Sequence, residues 1–123
     1  SDCLVGSEMC IRDRSIFFTG ATASMRGGSG FSAFASAKFA LRAVSQSMAR
    51  ELGPQGIHVA HFIIDGAIDT AFIKENFPDR YALKEKDGIL QPDAIADAYW
   101  FVHTQHRSAW THELDLRPYM EKF

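Results

Sequence analysis

The first clear pattern in the chain is an unbroken apolar run, Ile16-Phe17-Phe18, which ends at Thr19-Gly20. A strand covered on both faces reads this way. Ala21 to Phe31 follows, rich in small residues and holding Gly27, Gly28 and Gly30, and predicts a loop. Then the period changes. Phe34, Ala37, Leu41, Val44, Met48 and Leu52 recur at spacings of three and four. The pattern predicts a helix capped by Ser32 and running to Leu52. Gly53-Pro54 stops it, and Gln55-Gly56 completes a turn. Ile57 to Ile64 is again almost continuously apolar, interrupted by His58 and His61 and closed by Asp65-Gly66. Strand, long helix and strand predict a βαβ unit with a parallel pair.

Asp69 to Leu90 has mixed chemistry, in which Phe72, Ile73 and Phe77 suggest a short helix between breakers at Pro78-Asp79 and Asp87-Gly88. Pro92 suits the first position of a helix, and Ile95, Tyr99 and Val102 carry its apolar face to about His103. Trp110 to Arg117 alternates in part and predicts a last strand, closed by Pro118. Ser1 to Arg14 holds neither period. Its stretch Val5 to Arg14 resembles a translated sequencing adapter of the kind that ends metagenomic fragments. The expected organisation is therefore a non-native leader over 1–14 and one αβ domain over 15–123.

Length and composition narrow the function classes. The chain has 123 residues, 46% apolar and 23% charged, which suits one globular domain. A complete dinucleotide-binding enzyme needs about twice as many. The net charge of -2 and the lack of any long basic run disfavour nucleic acid. No stretch approaches the ~20 apolar residues that span a bilayer. No secretory leader opens the chain, so a cytoplasmic location is the expectation. Cys3 and Cys10 lack the spacing of a redox pair or metal knuckle.

The candidate motifs are sparse. Gly27, Gly28 and Gly30 match neither the phosphate-binding loop nor the dinucleotide fingerprint. The stretch Gly27 to Phe31 also lacks the last glycine of a nucleophile elbow. His58 and His61 are three apart on a strand, so they point to opposite faces and cannot share a metal without distortion. No metal site is expected. Lys38 follows Phe34 by four residues and shares its helix face. Two roles stay open for it: laying its stem along the apolar stripe, or presenting its ammonium to a ligand above the sheet edge.

The stretch Phe34-Ala35-Ser36-Ala37-Lys38-Phe39-Ala40-Leu41, followed by Met48-Ala49-Arg50-Glu51-Leu52 and Gly56-Ile57-His58-Val59, resembles the short-chain dehydrogenase/reductase family. The resemblance runs from Ser15 to about Arg117. It implies an α/β, partial Rossmann-like three-layer αβα domain with a parallel sheet, whose first nucleotide-binding half lies outside this chain. It implies NAD or NADP as cofactor, an alcohol or carbonyl substrate, and a homo-oligomer. By resemblance Lys38 holds the cofactor ribose. Gly66, Ile68 and Thr70 stand where the family touches the nicotinamide and phosphate region, with Asp65 in place of a proline. The segment Ala71 to Leu90 corresponds to a substrate lid, so Phe72, with Thr22 and Ser24 nearer the strand, would meet substrate.

The same resemblance exposes two departures. Phe34 stands at the family's catalytic tyrosine, and it has no hydroxyl to act as acid or base. Ala21, thirteen residues earlier, stands at the catalytic serine. Thr22 and Ser24 lie near it and are candidates to orient a substrate, but neither restores the tyrosine's proton path, and Tyr81 or Tyr99 would have to move in from elsewhere. Two functions follow: an oxidoreductase-like protein with an altered proton path, or a non-catalytic relative that binds cofactor or serves as a scaffold. The apolar tail, with Tyr119, Met120 and Phe123, is expected to reach a neighbouring subunit.

Overall fold

A computed structural model of the chain describes residues 14–122. The proposed leader, Arg14 apart, lies outside the described residues, as does Phe123. Strand β1 is Ser15–Ala21, helix α1 is Ser32–Leu52 and strand β2 is His58–Ile64. Two short helices follow, α2 over Ala71–Asn76 and α3 over Pro78–Tyr81, then α4 over Pro92–His103 and strand β3 over Glu113–Leu116. The sheet has the order β1-β2-β3, and both pairings are parallel, with Phe17 beside Ala60 and Phe62 beside Leu114.

β2 is buried at every position, as its continuous apolar run predicted. Alternation sends His58, Ala60, Phe62 and Ile64 to the α4 face and Val59, His61 and Ile63 to the α1 face. On the α4 face, Phe62 stacks on Tyr99 with centroids 3.7 Å apart and meets the edge of Phe17 at 5.1 Å. Val102, Ile95, Leu114 and Leu116 complete this core. The α1 face is more polar. There Arg42 Nε donates to Glu113 Oε2 at 2.8 Å, and the same oxygen lies 3.0 Å from His61 Nδ1. Helices on both faces of a parallel sheet give the three-layer αβα arrangement expected from the sequence.

Several details differ from expectation: β1 runs on to Ala21, β2 begins at His58, and Pro78-Asp79 opens a short helix rather than only ending one. Ser32 is the first residue of α1 rather than its cap; the cap position falls to Phe31, without a side-chain bond. A turn closed by Phe31 N–H to Gly28 O, at 3.1 Å, with Gly30 at φ 83°, delivers the chain into the helix one residue early. The stretch Ala21 to Phe31 also contains a single 3₁₀ turn, Thr22–Ser24. The last strand is four residues long, not eight, because the residues before it contact β2 through their side chains and carbonyls. Trp110 stacks on His58 at 4.5 Å, Thr111 O accepts from His58 Nε2, and His112 O accepts from His61 N–H. Among the described residues no helix is long and apolar enough to cross a membrane.

Candidate active site

The carboxyl ends of β1 and β2 open into a cleft of about 410 Å³. Ala21 and Thr22 reach it from the end of β1, Phe34 from the first turn of α1, and Asp65 and Gly66 from the end of β2. Ligands of open αβ sheets bind at such strand ends. Lys38 lies one turn along α1 from Phe34. Its Nζ hydrogen-bonds Thr19 O near the end of β1 at 3.4 Å and stands 5.6 Å from the centroid of the Phe34 ring. The helical spacing thus brings an ammonium and an aromatic ring to the same rim. Lys38 makes no ion pair among the described residues.

The end of β2 is held from several sides. Asp65 is 3% exposed. Its N–H bonds Leu116 O at 2.8 Å, Thr22 Oγ1 donates to its Oδ1, and Arg117 Nη1 stands 3.5 Å from its Oδ2. The buried acid therefore has its charge answered within its own fold. Gly66 takes φ 144°, and a Cβ there would meet Pro118 Cδ at 3.0 Å. The backbone conformation favours glycine, and the neighbouring tail leaves little room for a side chain.

Other candidates are dispersed. Ser24 is fully buried, and its Oγ accepts from Ala21 N–H at 3.1 Å, closing the turn after β1. Ile68 bridges to Leu90, and Thr70 caps α2 by accepting from Ile73 N–H at 3.3 Å. These two line a separate apolar groove beside α4, together with Phe17, Ile95, Tyr99 and Trp100. Phe72 is exposed on α2, edge-on to Phe77 at 6.1 Å. The structure thus gathers Ala21, Thr22, Phe34 and Gly66 in one cleft with Lys38 on its rim. It places Ile68, Thr70 and Phe72 apart from it.

Neither tyrosine singled out in the sequence lines the cleft. Tyr99 OH bonds Thr19 Oγ1 at 2.6 Å, on the α4 face, and burial raises its phenol above the ordinary range despite that bond. Tyr81 sits on α3, close to Lys74 and Lys84. The cleft has members that no motif announced: Arg26, Phe31, Arg80 and Glu121. Arg80 Nη2 is 3.5 Å from Glu121 Oε1. Glu121 belongs to the tail, which packs at least in part on its own chain, while Tyr119 stays 78% exposed. Arg26 and Phe31 come from the loop after β1, Arg80 from α3 and Glu121 from the tail, so local spacing carries no trace of their convergence.

The comparisons with known proteins agree with this geometry. The family model described as Enoyl-(Acyl carrier protein) reductase matches residues 5–113. A short-chain dehydrogenase from Rhodopseudomonas palustris is 52% identical, with a TM-score of 0.63 over 90% of this chain and 42% of its own. The NADPH-bound short chain oxidoreductase from Pseudomonas aeruginosa PAO1, described as containing an atypical catalytic center, superposes with a TM-score of 0.71 at 16% identity, covering 90% of this chain and 47% of its own. A 4-hydroxyisoleucine dehydrogenase complexed with NADH superposes with a TM-score of 0.65 at 19% identity, over 95% of this chain and 51% of its own. At such identities the last two show the fold alone. No curated protein matched. The chain spans about half the length, or less, of these solved structures. With the family model matched over most of its residues and the strand-helix-strand geometry in place, the chain belongs to the short-chain dehydrogenase/reductase family.

Proposed function

We propose that this chain is the carboxy-terminal part, residues 15–123, of an NAD(P)-dependent oxidoreductase acting on an alcohol or carbonyl substrate, with the usual tyrosine and serine replaced by Phe34 and Ala21. The single observation that carries the proposal is the Lys38 ammonium at the end of β1, without a carboxylate partner among the described residues and one helical turn from the cleft-lining Phe34. An unneutralised cation at a strand end suits the hydroxyl-rich ribose of a dinucleotide. Gly66, where a side chain would strike Pro118, leaves the backbone bare at the neighbouring strand end. The residues present thus fit the nicotinamide-ribose end of the cofactor. When bound, the nicotinamide supplies hydride exchange with a substrate carbon. Lys38 would hold the ribose, with Gly66 beside it; Ile68 and Thr70, from their separate groove, would meet the carboxamide and phosphate side. Thr22 would act toward substrate; Ser24, buried in the turn after β1, and Phe72, apart from the cleft, are not brought to it. The intact protein is proposed as a cytoplasmic homo-oligomer.

The test is a fluorescence titration of the full-length protein with NADH and NADPH. Saturable binding of one or both is expected, weakened about tenfold or more by Lys38→Met, the usual scale for a lost hydrogen bond to a charged group. Absence of binding to either would overturn the proposal. A second reading, a non-catalytic cofactor-binding or scaffold relative, is favoured by the loss of both family hydroxyls at Ala21 and Phe34. It predicts binding without turnover. Turnover created by Phe34→Tyr together with Ala21→Ser, where none existed, would show a sound cleft that lacks only its proton path.

A further inference from the structure

We propose that Thr22 and Asp65 form a proton relay in the cleft, standing in for the missing tyrosine. The proposal rests on the oxidoreductase reading above. Both residues line the cleft, although Asp65 is 3% exposed. They end adjacent strands, and Thr22 Oγ1 donates to Asp65 Oδ1 across the gap. A buried carboxylate needs compensation. Arg117 at 3.5 Å supplies a positive charge and Thr22 a hydrogen bond. The other hydroxyls considered as replacements lie elsewhere: Ser24 closes a turn, Tyr99 bonds Thr19 on the opposite face and Tyr81 sits beside Lys84.

The direction of the bond decides what the pair can do. Threonine has one hydroxyl hydrogen and two lone pairs. With that hydrogen committed to Asp65, Thr22 offers the cleft an acceptor. The ligand group it fits is a donor, such as the O–H of an alcohol. During oxidation the C–H bond of the carbinol breaks, and its hydrogen leaves with two electrons as the hydride taken up by an oxidised nicotinamide. The substrate O–H bond breaks as the carbonyl forms. That proton passes to Thr22 Oγ1 while the threonine proton passes to Asp65 Oδ1, and then to solvent through the cleft.

The experiment compares full-length wild type with Thr22→Val, Thr22→Ser and Asp65→Asn. It reads NADH binding, then kcat and KM for a panel of secondary alcohols with NAD⁺ and NADP⁺. It also reads the low-field proton NMR signal of the Thr22 hydroxyl in cofactor-free protein. Thr22→Val and Asp65→Asn should keep NADH binding and lose roughly 10²–10⁴-fold in kcat, the usual worth of a positioned acid or base, with KM little changed. Thr22→Ser should recover activity to within about tenfold of wild type. A hydroxyl signal slow to exchange in wild type should vanish in Asp65→Asn. If Asp65→Asn does not fold, the contrast of valine and serine at Thr22 decides. NADH binding with turnover indifferent to Thr22→Val overturns the relay and leaves the oxidoreductase reading standing. NADH binding with no alcohol oxidised overturns the relay as well. No nicotinamide binding by wild type overturns the oxidoreductase reading itself, and the relay with it.

Discussion

The two faces of the sheet are built from different materials. On the α4 face, Phe17, Phe62 and Tyr99 pack ring against ring, with Val102 fully buried beside them. On the α1 face, the helix buries small residues, Ala35 and Ser45, against Val59 and Ile63 of β2, and the fully buried His61 joins Glu113 and Arg42. Aromatic area is non-directional, so it holds layers together without fixing one side chain to one atom. A carboxylate shared by two donors fixes them in register. The face that carries Phe34 and Lys38 is thus the face where positions are set by directed bonds. The opposite face holds the buried aromatic cluster.

If that division is right, the largest loss should come from the aromatic side. Phe62→Ala removes a fully buried ring stacked on Tyr99. Large-to-small changes of this kind cost about 3–5 kcal/mol. The full-length protein should lose most of its stability in a urea unfolding curve. A loss under about 1 kcal/mol would mean that the α4 face is not the main core.

Glu113→Gln probes the other face and should cost less, about 1.5–3 kcal/mol, as hydrogen bonds to charged groups do. Burial disfavours the Glu113 charge, but the bonds from Arg42 and His61 outweigh it and hold the carboxyl below its ordinary value of 4.5. A depressed carboxyl gives stability that is present above the ordinary value and lost as pH falls through the folded one. The variant should therefore lose the part of the acid-unfolding transition that lies below about pH 4.5. An unchanged acid limb would separate Glu113 from the register of α1 on the sheet.

What the sequence told, and what it withheld, follows the same split. The α1 helix and β2 were legible because a long period and a continuous apolar run are averages over many residues. Phe34 and Lys38 were placed together by spacing on that one helix. The cap of α1 was misread because the turn closed by Gly28 and Phe31 decides where the helix starts. β3 was overlong because Trp110 and His112 pair with β2 by ring and imidazole rather than by alternation. In the cleft, Asp65 was legible only as an acid standing in place of a proline. Its partner Thr22 is 43 residues away, and Arg117 is a further strand along. Such convergence is made by topology, and no local window contains it.

The smallest effect belongs to a polar group planted on the aromatic face, and it tests whether that face is as dry as its rings suggest. His58 is 2% exposed, with Trp110 stacked on its ring. Its Nε2 donates to Thr111 O at 2.7 Å, a tautomer assigned from that bond, and its Nδ1 has no partner among the described residues. Burial lowers the imidazole below its ordinary 6.5; the Thr111 bond opposes this, and the neighbouring His103 and His112 add to it. The folded state therefore takes up a proton later than the unfolded state as pH falls. Stability is full above about pH 6.5 and declines below it until the folded-state value is reached. Thermal melts of the full-length protein should show Tm falling between about pH 7.5 and 5.5. His58→Phe keeps a flat ring against Trp110 but cannot titrate, so its Tm should change less over the same interval. Equal slopes for the two proteins would place the proton uptake elsewhere and leave the α4 face free of any acid sensitivity from His58.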